Sequence, residues 1–356
     1  MRVERPVLHD RAVEGLWRAA REDRLPHALL FEGEKGTGRF QAAQWFAAGL
    51  LCNSGPGVPC LTCAGCKKMA GGEWRSNHAD VFVIDAAAEQ EEFIRLHRVA
   101  YRPDEARVPD PEYSLERFFP FHPLEGVWRV ALIREAHRMN PSAQNALLKM
   151  LEEPPPATVL VLETHLPSRL FDTIRSRCVR MGFAALGHED TARILQDHDL
   201  AGDNAEQLAR WSGGSPGGAL ALARQGAPQM RALLIGVLVG EVRPPEAAAA
   251  LWEIDGEFQG NTPLKQTRDR ARRCIDLGIE ILGDLLRADA GIPSETLAHG
   301  DLAELVQDGA WRLREVLEGW LDARHDLDVN LAPDAVMDRC WVDLAPRRKE
   351  VAARGR

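Results

Sequence analysis

Gly33-Glu34-Lys35-Gly36-Thr37-Gly38-Arg39-Phe40 is the stretch on which the reading of this chain turns. An apolar run, Ala28-Leu29-Leu30-Phe31, precedes it, and a helix-forming run, Gln41-Ala42-Ala43-Gln44-Trp45-Phe46-Ala47, follows. Strand, glycine loop and helix in that order are the setting of a phosphate-binding loop, and Gly33 and Gly38 stand at its spacing. Gly33, Gly36 and Gly38 let the backbone curl so that successive N–H groups converge on an anion at a helix N-terminus. With Arg39 they form the candidate nucleotide-binding set. The two residues after the last glycine are wrong for catalysis. A working loop has Lys and then Ser or Thr, the ammonium for the β/γ-phosphates and the hydroxyl for Mg2+. Arg39 and Phe40 hold those places. A guanidinium is wide and planar and does not replace a compact ammonium, and a phenyl ring cannot ligate magnesium. The stretch reads as a nucleotide-binding scaffold without its own chemistry; the plainer alternative is an ordinary glycine-rich turn.

Working outward, the 356 residues allow two or three domains. Charged residues at 27% and apolar residues at 45% are globular values and exclude gross disorder. The formal net charge of −9 gives the whole molecule no attraction for nucleic acid, so contact with DNA requires a local basic face. The start, Met1-Arg2-Val3-Glu4-Arg5-Pro6, lacks an apolar signal core, and no stretch approaches the ~18 apolar residues of a membrane span. A soluble, cytoplasmic protein with no membrane partner is expected.

Up to about residue 180 the pattern is α/β. Short apolar runs at Ala28–Phe31, Val81–Ile84, Arg129–Ile133, Thr158–Leu162 and Cys178–Phe183 alternate with helical segments, which predicts a parallel sheet with helices on both faces. From Leu186 onward strand signals stop. Short helices are expected over Leu186–Gly218, and two long ones over Asp269–Ala288 and Asp301–Arg324, the first with Ile275, Ile279, Leu282 and Leu286 on its buried face. Between Asp85 and Leu124, Pro103, Pro109 and Pro111 break the chain into loops.

Cys52, Cys60, Cys63 and Cys66 form C-x7-C-x2-C-x2-C, with Gly55, Pro56, Gly57 and Pro59 bending the loop between the first two. Four thiolates so spaced close a tetrahedron around zinc and leave no position for substrate, so a structural Zn2+ is expected. Disulfides are disfavoured without a secretion signal, and a redox pair would not need four cysteines. Cys178, Cys274 and Cys340 stand alone among apolar residues and read as buried thiols.

A working phosphate loop is completed by an acidic pair at the end of a buried strand. Val130-Ala131-Leu132-Ile133 is such a strand, but Arg134-Glu135-Ala136-His137 follows it, placing a cation where Mg2+ would sit. The segment Asn140-Pro141-Ser142-Ala143-Gln144-Asn145-Ala146-Leu147-Leu148-Lys149-Met150-Leu151-Glu152-Glu153-Pro154-Pro155 resembles the signature of bacterial clamp-loader subunits of the AAA+ class, as does Ser176-Arg177-Cys178. The four-cysteine insert narrows the resemblance to the gamma/tau and delta-prime subunits of DNA polymerase III. The altered loop and acidic pair are similar to the delta-prime type rather than the ATP-hydrolysing one. Gly217 stands where an active subunit of that family carries a phosphate-sensing arginine. The resemblance is strong over residues 25–70 and 125–222, and residues 87–112 are longer and more proline-broken than the family pattern.

That resemblance implies a degenerate AAA+ α/β domain over residues 1–184 with the four-cysteine zinc module at 52–66. A small all-α lid over 185–235 and an all-α collar over 236–356 would follow, the collar including Leu302–Arg324 and Asp334–Leu344. It also gives Arg177 a role: flanked by Ser176 and Cys178, it would point across a subunit junction and complete the ATP site of a neighbour. On position alone, Arg177 reads as a surface arginine paired with a carboxylate. On the predicted helix Pro141–Leu151, Ala143, Leu147 and Leu151 share the inner face. Gln144, Asn145 and Lys149 lie outside it, either as a solvated face or, in the family geometry, facing DNA phosphates.

The implied partners are gamma/tau and delta, with the sliding clamp and primer-template DNA in the assembly. ATP and Mg2+ are not expected to be bound and hydrolysed by this chain. Two rival readings are an active, divergent gamma/tau-like ATPase with Arg39 in place of the lysine, and a zinc-containing nucleic-acid-binding protein.

Overall fold

The computed structural model describes residues 10–70, 76–89, 91–101, 113–197, 204–260, 262–306 and 310–345. Much of the proline-broken stretch, residues 90 and 102–112, lies outside them. The chain divides into two compact units, 1–186 and 187–356.

The first unit is built on strands β1 (Ala28–Gly33), β2 (Val81–Ile84), β3 (Arg129–Ile133), β4 (Thr158–Thr164) and β5 (Val179–Phe183). They form one parallel sheet in the order β2-β3-β4-β1-β5. Around it run helices α1 (Asp10–Arg21), α2 (Arg39–Leu50), α3 (Ala64–Ala70), α4 (Leu96–Val99), α5 (Leu115–Phe118), α6 (Pro141–Glu152) and α7 (Asp172–Arg175). The strands are where the sequence predicts them, except that β1 and β4 each run two residues further, to Gly33 and Thr164, and β5 begins one residue after Cys178, which packs into the core instead.

Successive side chains of a strand face opposite ways, and here both faces are covered. Leu29, Phe31, Val83, Leu132 and Val161 join Trp45 and Phe46 of α2 in one cluster, while Leu30, Ile84, Ile133 and Leu162 join Ala143, Leu147 and Leu151 of α6 in the other. That double burial explains why β2, β3 and β4 are apolar runs rather than alternating ones. On the first face, the Trp17 indole donates to the Phe46 carbonyl at 3.0 Å and ties α1 to α2. With β1 between β4 and β5, the connections leaving the sheet diverge at the carboxyl ends of β1 and β4, the place where open parallel sheets hold ligands.

The second unit is helical: α8 (His188–Asp197), α9 (Ala205–Trp211), α10 (Pro216–Arg224), α11 (Ala227–Val239), α12 (Pro244–Glu253), α13 (Pro263–Asp289), α14 (Ala310–Asp328) and α15 (Pro333–Leu344). One buried cluster runs through it from Ala192 to Leu344. Helix α13 starts earlier than predicted, because Thr262 caps it by accepting from the Lys265 N–H and Pro263 opens its first turn. Its buried face is Ala271, Cys274, Gly278, Ile281 and Leu285, with Ile275 and Leu282 beside it. Ile279 and Leu286, predicted within that face, are half-buried at its margin. The predicted helix Asp301–Arg324 is instead a 3-10 run, Gly300–Val306, followed by α14. Among the described residues, no helix is long and apolar enough to cross a membrane.

Candidate functional site

Gly36 and Gly38 adopt left-handed backbone conformations (φ 82° and 83°), the curl that a phosphate-binding loop needs and that a side chain would resist. The loop formed this way is already occupied. Arg39, the first residue of α2, is 4% exposed. Its guanidinium folds back inside the loop, where Nη1 donates to the Gly33 and Glu34 carbonyls and lies 3.3 Å from the Thr37 hydroxyl. Its Nε donates to Glu163 Oε1 at 2.7 Å, and that carboxylate, at the end of β4, is equally buried. The second Glu163 oxygen accepts from the Glu135 N–H at 3.0 Å. A cation thus sits in the cradle and turns loop carbonyls inward, where a nucleotide's phosphates would require amide donors.

The other altered positions gather beside it. Arg134 donates to Asp85 Oδ2 at 2.9 Å, joining the ends of β3 and β2, and its guanidinium lies 5.2 Å from the Phe40 ring centre. Asp85 is buried and engaged, and its other oxygen accepts from the Ala88 N–H. The three residues that depart from a working site therefore gather at the carboxyl ends of the strands.

The four cysteine sulfurs lie within 4.8 Å of one another, with Cys52–Cys63 and Cys60–Cys66 each 4.0 Å apart. Tetrahedral zinc with bonds of about 2.3 Å needs sulfurs just under 4 Å apart, so the set fits a Zn2+ ion. The backbone is shaped to it: the Cys63 N–H donates to Cys60 Sγ and the Cys66 N–H to Cys63 Sγ, both at 3.4 Å. Gly65 is required, because a Cβ there would stand 2.6 Å from the Leu51 carbonyl oxygen. A hydrogen bond from the Thr62 hydroxyl, helped by nearby amides, lowers the Cys60 thiol to about 5 and favours the thiolate that a metal takes. Burial pushes the Cys66 thiol the other way. The insert is anchored to the sheet through Asp80, fully buried before β2. Its carboxylate accepts from the Leu124, Glu125 and Gly126 amides at 2.6, 2.7 and 3.0 Å, and Glu125 in turn pairs with Lys68 of α3.

Arg177 and Ser176 are exposed just before β5. Arg177 pairs with Glu152 at the end of α6 (2.8 Å) and donates to the Thr173 carbonyl (3.0 Å). Cys178 belongs to the core and not to that surface: burial raises its thiol to about 12. Cys274 and Cys340 are buried likewise.

Helix α6 opens as its sequence predicts, with Asn140 Oδ1 accepting from the Ala143 N–H at 2.8 Å and Pro141 in the first turn. Asn145 and Lys149 are exposed, but Gln144 is not. At 3% exposure, its amide donates to the carbonyls of Met139 and Arg169 (3.1 and 3.2 Å) and accepts from the Phe171 N–H (2.8 Å). Gln144 is thus a structural clamp between the start of α6 and the turn before α7, and the expectation that it faces DNA is corrected. A helical wheel does not reveal this, because the groups it satisfies come from a different segment.

Glu163 and Asp80 belong to no motif in the sequence. Glu163 lies inside an apolar strand, and a carboxylate at the end of such a run is itself the signal that a buried cation faces it.

A family model described as DNA polymerase III, delta subunit, matches residues 8–187. Two proteins named DNA polymerase III subunit delta' are similar to this chain: that of Bacillus subtilis is 34% identical over 57% of this chain and 55% of its own length, and that of Pseudomonas aeruginosa 36% over 59% and 59%. The tau subunit of DNA polymerase III from Escherichia coli is 31% identical over 74% of this chain and 40% of its own length. The matches span a little over half the length of the two delta' relatives.

Proposed function

The chain belongs to the family described as DNA polymerase III, delta subunit, and from that premise we propose that it is the non-hydrolysing delta-prime subunit of a bacterial replicative clamp loader. The observation that carries the reading is the Arg39 guanidinium held inside the phosphate loop by a buried carboxylate. In this reading the chain itself neither binds ATP productively nor cleaves it. It forms a fixed wall of a ring with gamma/tau and delta, in which the sliding clamp is loaded onto primer-template DNA in the cytoplasm.

Within that ring, Arg177 is the arginine donated in trans, flanked by Ser176. Exposure supports the assignment, and the pair with Glu152 is the contact that the junction would exchange for a neighbour's γ-phosphate. A fixed cation there stabilises charge developing in the transition state, worth about 10³–10⁵ in rate for such arginines. Asn145 and Lys149 remain candidates for DNA phosphate contact. Zn2+ in the Cys52, Cys60, Cys63 and Cys66 module is structural, with all four positions filled by protein. Residues 185–235 act as the lid and 236–356 as the oligomerising collar.

The test is reconstitution with gamma/tau and delta. Arg177→Ala is expected to assemble normally and to lower DNA-stimulated ATPase at least tenfold, while the lone wild-type chain shows no magnesium-dependent ATP turnover. Equal turnover by mutant and wild-type assemblies removes the arginine role, and hydrolysis by the lone chain removes the delta-prime reading in favour of an active ATPase.

A further inference from the structure

Beside the filled loop lies a second group of ligating side chains that none of the preceding chemistry uses. Glu135, His137 and His165 bring a carboxylate oxygen and two imidazole nitrogens within 4.8 Å of one another. The backbone sets them there. Glu135 takes a left-handed conformation (φ 48°) just after β3, which turns the chain into the 3-10 run Ala136–Arg138 and places Glu135 and His137 together. His165 is the first residue after β4, so the group bridges the carboxyl ends of two adjacent strands. A left-handed non-glycine residue is strained and is kept where the surroundings over-determine it. Here the Glu135 N–H is held by Glu163 at 3.0 Å.

The two rings meet edge to face with centres 4.4 Å apart. His137 Nδ1 lies 3.0 Å from the Thr164 hydroxyl. Histidines that bind metals are ordinarily oriented in this way, by a hydrogen bond to the ring nitrogen that does not ligate. Burial lowers both imidazoles, His137 to about 4. Arg138, 3.3 Å from Glu135, competes for the carboxylate, and Arg169 and Arg39 add positive field. Affinity is therefore expected to fall below that of the four-thiolate set.

We propose that Glu135, His137 and His165 form a second metal site, a two-imidazole, one-carboxylate set for a borderline divalent ion such as Zn2+ or Co2+, with water completing the coordination. Such a donor set selects against Mg2+, which prefers oxygen ligands throughout. A metal here would pin the carboxyl ends of β3 and β4 together. The proposal stands on these three residues and does not depend on the clamp-loader reading.

The test uses the full chain, stripped by a chelator under reducing conditions and titrated with Co2+ at pH 7.5. Thiolate coordination gives intense near-ultraviolet charge-transfer bands, whereas an imidazole–carboxylate site gives only weak visible bands. About two equivalents are expected, the first with thiolate bands and the second without them. His137→Ala/His165→Ala is expected to retain the thiolate bands and lose the second equivalent, and Glu135→Gln to weaken it about tenfold or more. Binding of a single equivalent, or a second one that survives the double substitution, overturns the proposal. If the double variant fails to fold, the wild-type chain decides by NMR. The second equivalent of Zn2+ must move the His137 and His165 imidazole resonances, and unmoved resonances refute the site.

Discussion

Arg39 shows how much one side chain decides. The carboxylate that captures its guanidinium lies 124 residues away, on β4. Removing one member of a buried pair leaves an uncompensated charge, whereas replacing both with apolar groups of similar volume is often close to neutral. Arg39→Met is therefore expected to destabilise the chain by about 3–5 kcal/mol, and Arg39→Met/Glu163→Met by clearly less, as read from urea midpoints of the first unit. A double variant no more stable than the single would show that Glu163 is held by Glu135 and not by Arg39. Gln144 gives the same lesson in a neutral group. Its position on α6 was predictable, but its burial follows from the Arg169 and Phe171 backbone that it satisfies.

At the scale of elements, all five strands and α6 were legible, because short apolar runs and a cap-plus-proline start are local signals. The 3-10 run Gly300–Val306 was missed because the apolar pattern of the helix that follows extends back through it. The four-cysteine insert was legible as a metal module, but its attachment through Asp80 and Glu125 was not, since those contacts join segments more than forty residues apart. Metal binding and folding are coupled in such a module. Chelation under reducing conditions is expected to open proteolytic sites between residues 52 and 66 while the sheet persists by circular dichroism. Gly65→Ala, which drives a Cβ against Leu51, is expected to lower zinc content per chain and to show the same cleavage with metal present. Protection unchanged by either treatment would show that the loop stands without an ion.

For the molecule as a whole, acid sensitivity follows from a histidine in the helical unit. His299 is 1% exposed, with Nδ1 accepting from Arg231 at 3.3 Å, its ring 5.4 Å from Trp211, and its backbone N–H bound to Asp284. Burial, and then the Arg231 charge, lower it from 6.5 to about 4. The unfolded chain therefore binds the extra proton first. This contribution is undisturbed above about pH 6.5, declines as pH falls, and is fully lost below about pH 4, a change of roughly 3 kcal/mol at most. His299→Gln is expected to flatten the fall in urea midpoint between pH 7 and 4.5, and parallel curves for the two proteins would place the acid sensitivity elsewhere. The switch from strand to helical pattern near residue 186 was legible, whereas the buried cluster that runs from Ala192 to Leu344 was not, because its members are scattered along the helical half. The Arg39–Glu163 pair has, finally, a historical consequence. On the proposed reading, replacing Arg39 alone with lysine would leave Glu163 facing the loop and Arg134 still paired with Asp85, so a single step toward a working loop disturbs the buried pair and restores no hydrolysis. On that reading, such a lock works as an evolutionary ratchet: a subunit that has acquired it stays without hydrolysis of its own, and an assembly built around it can rely on that silence.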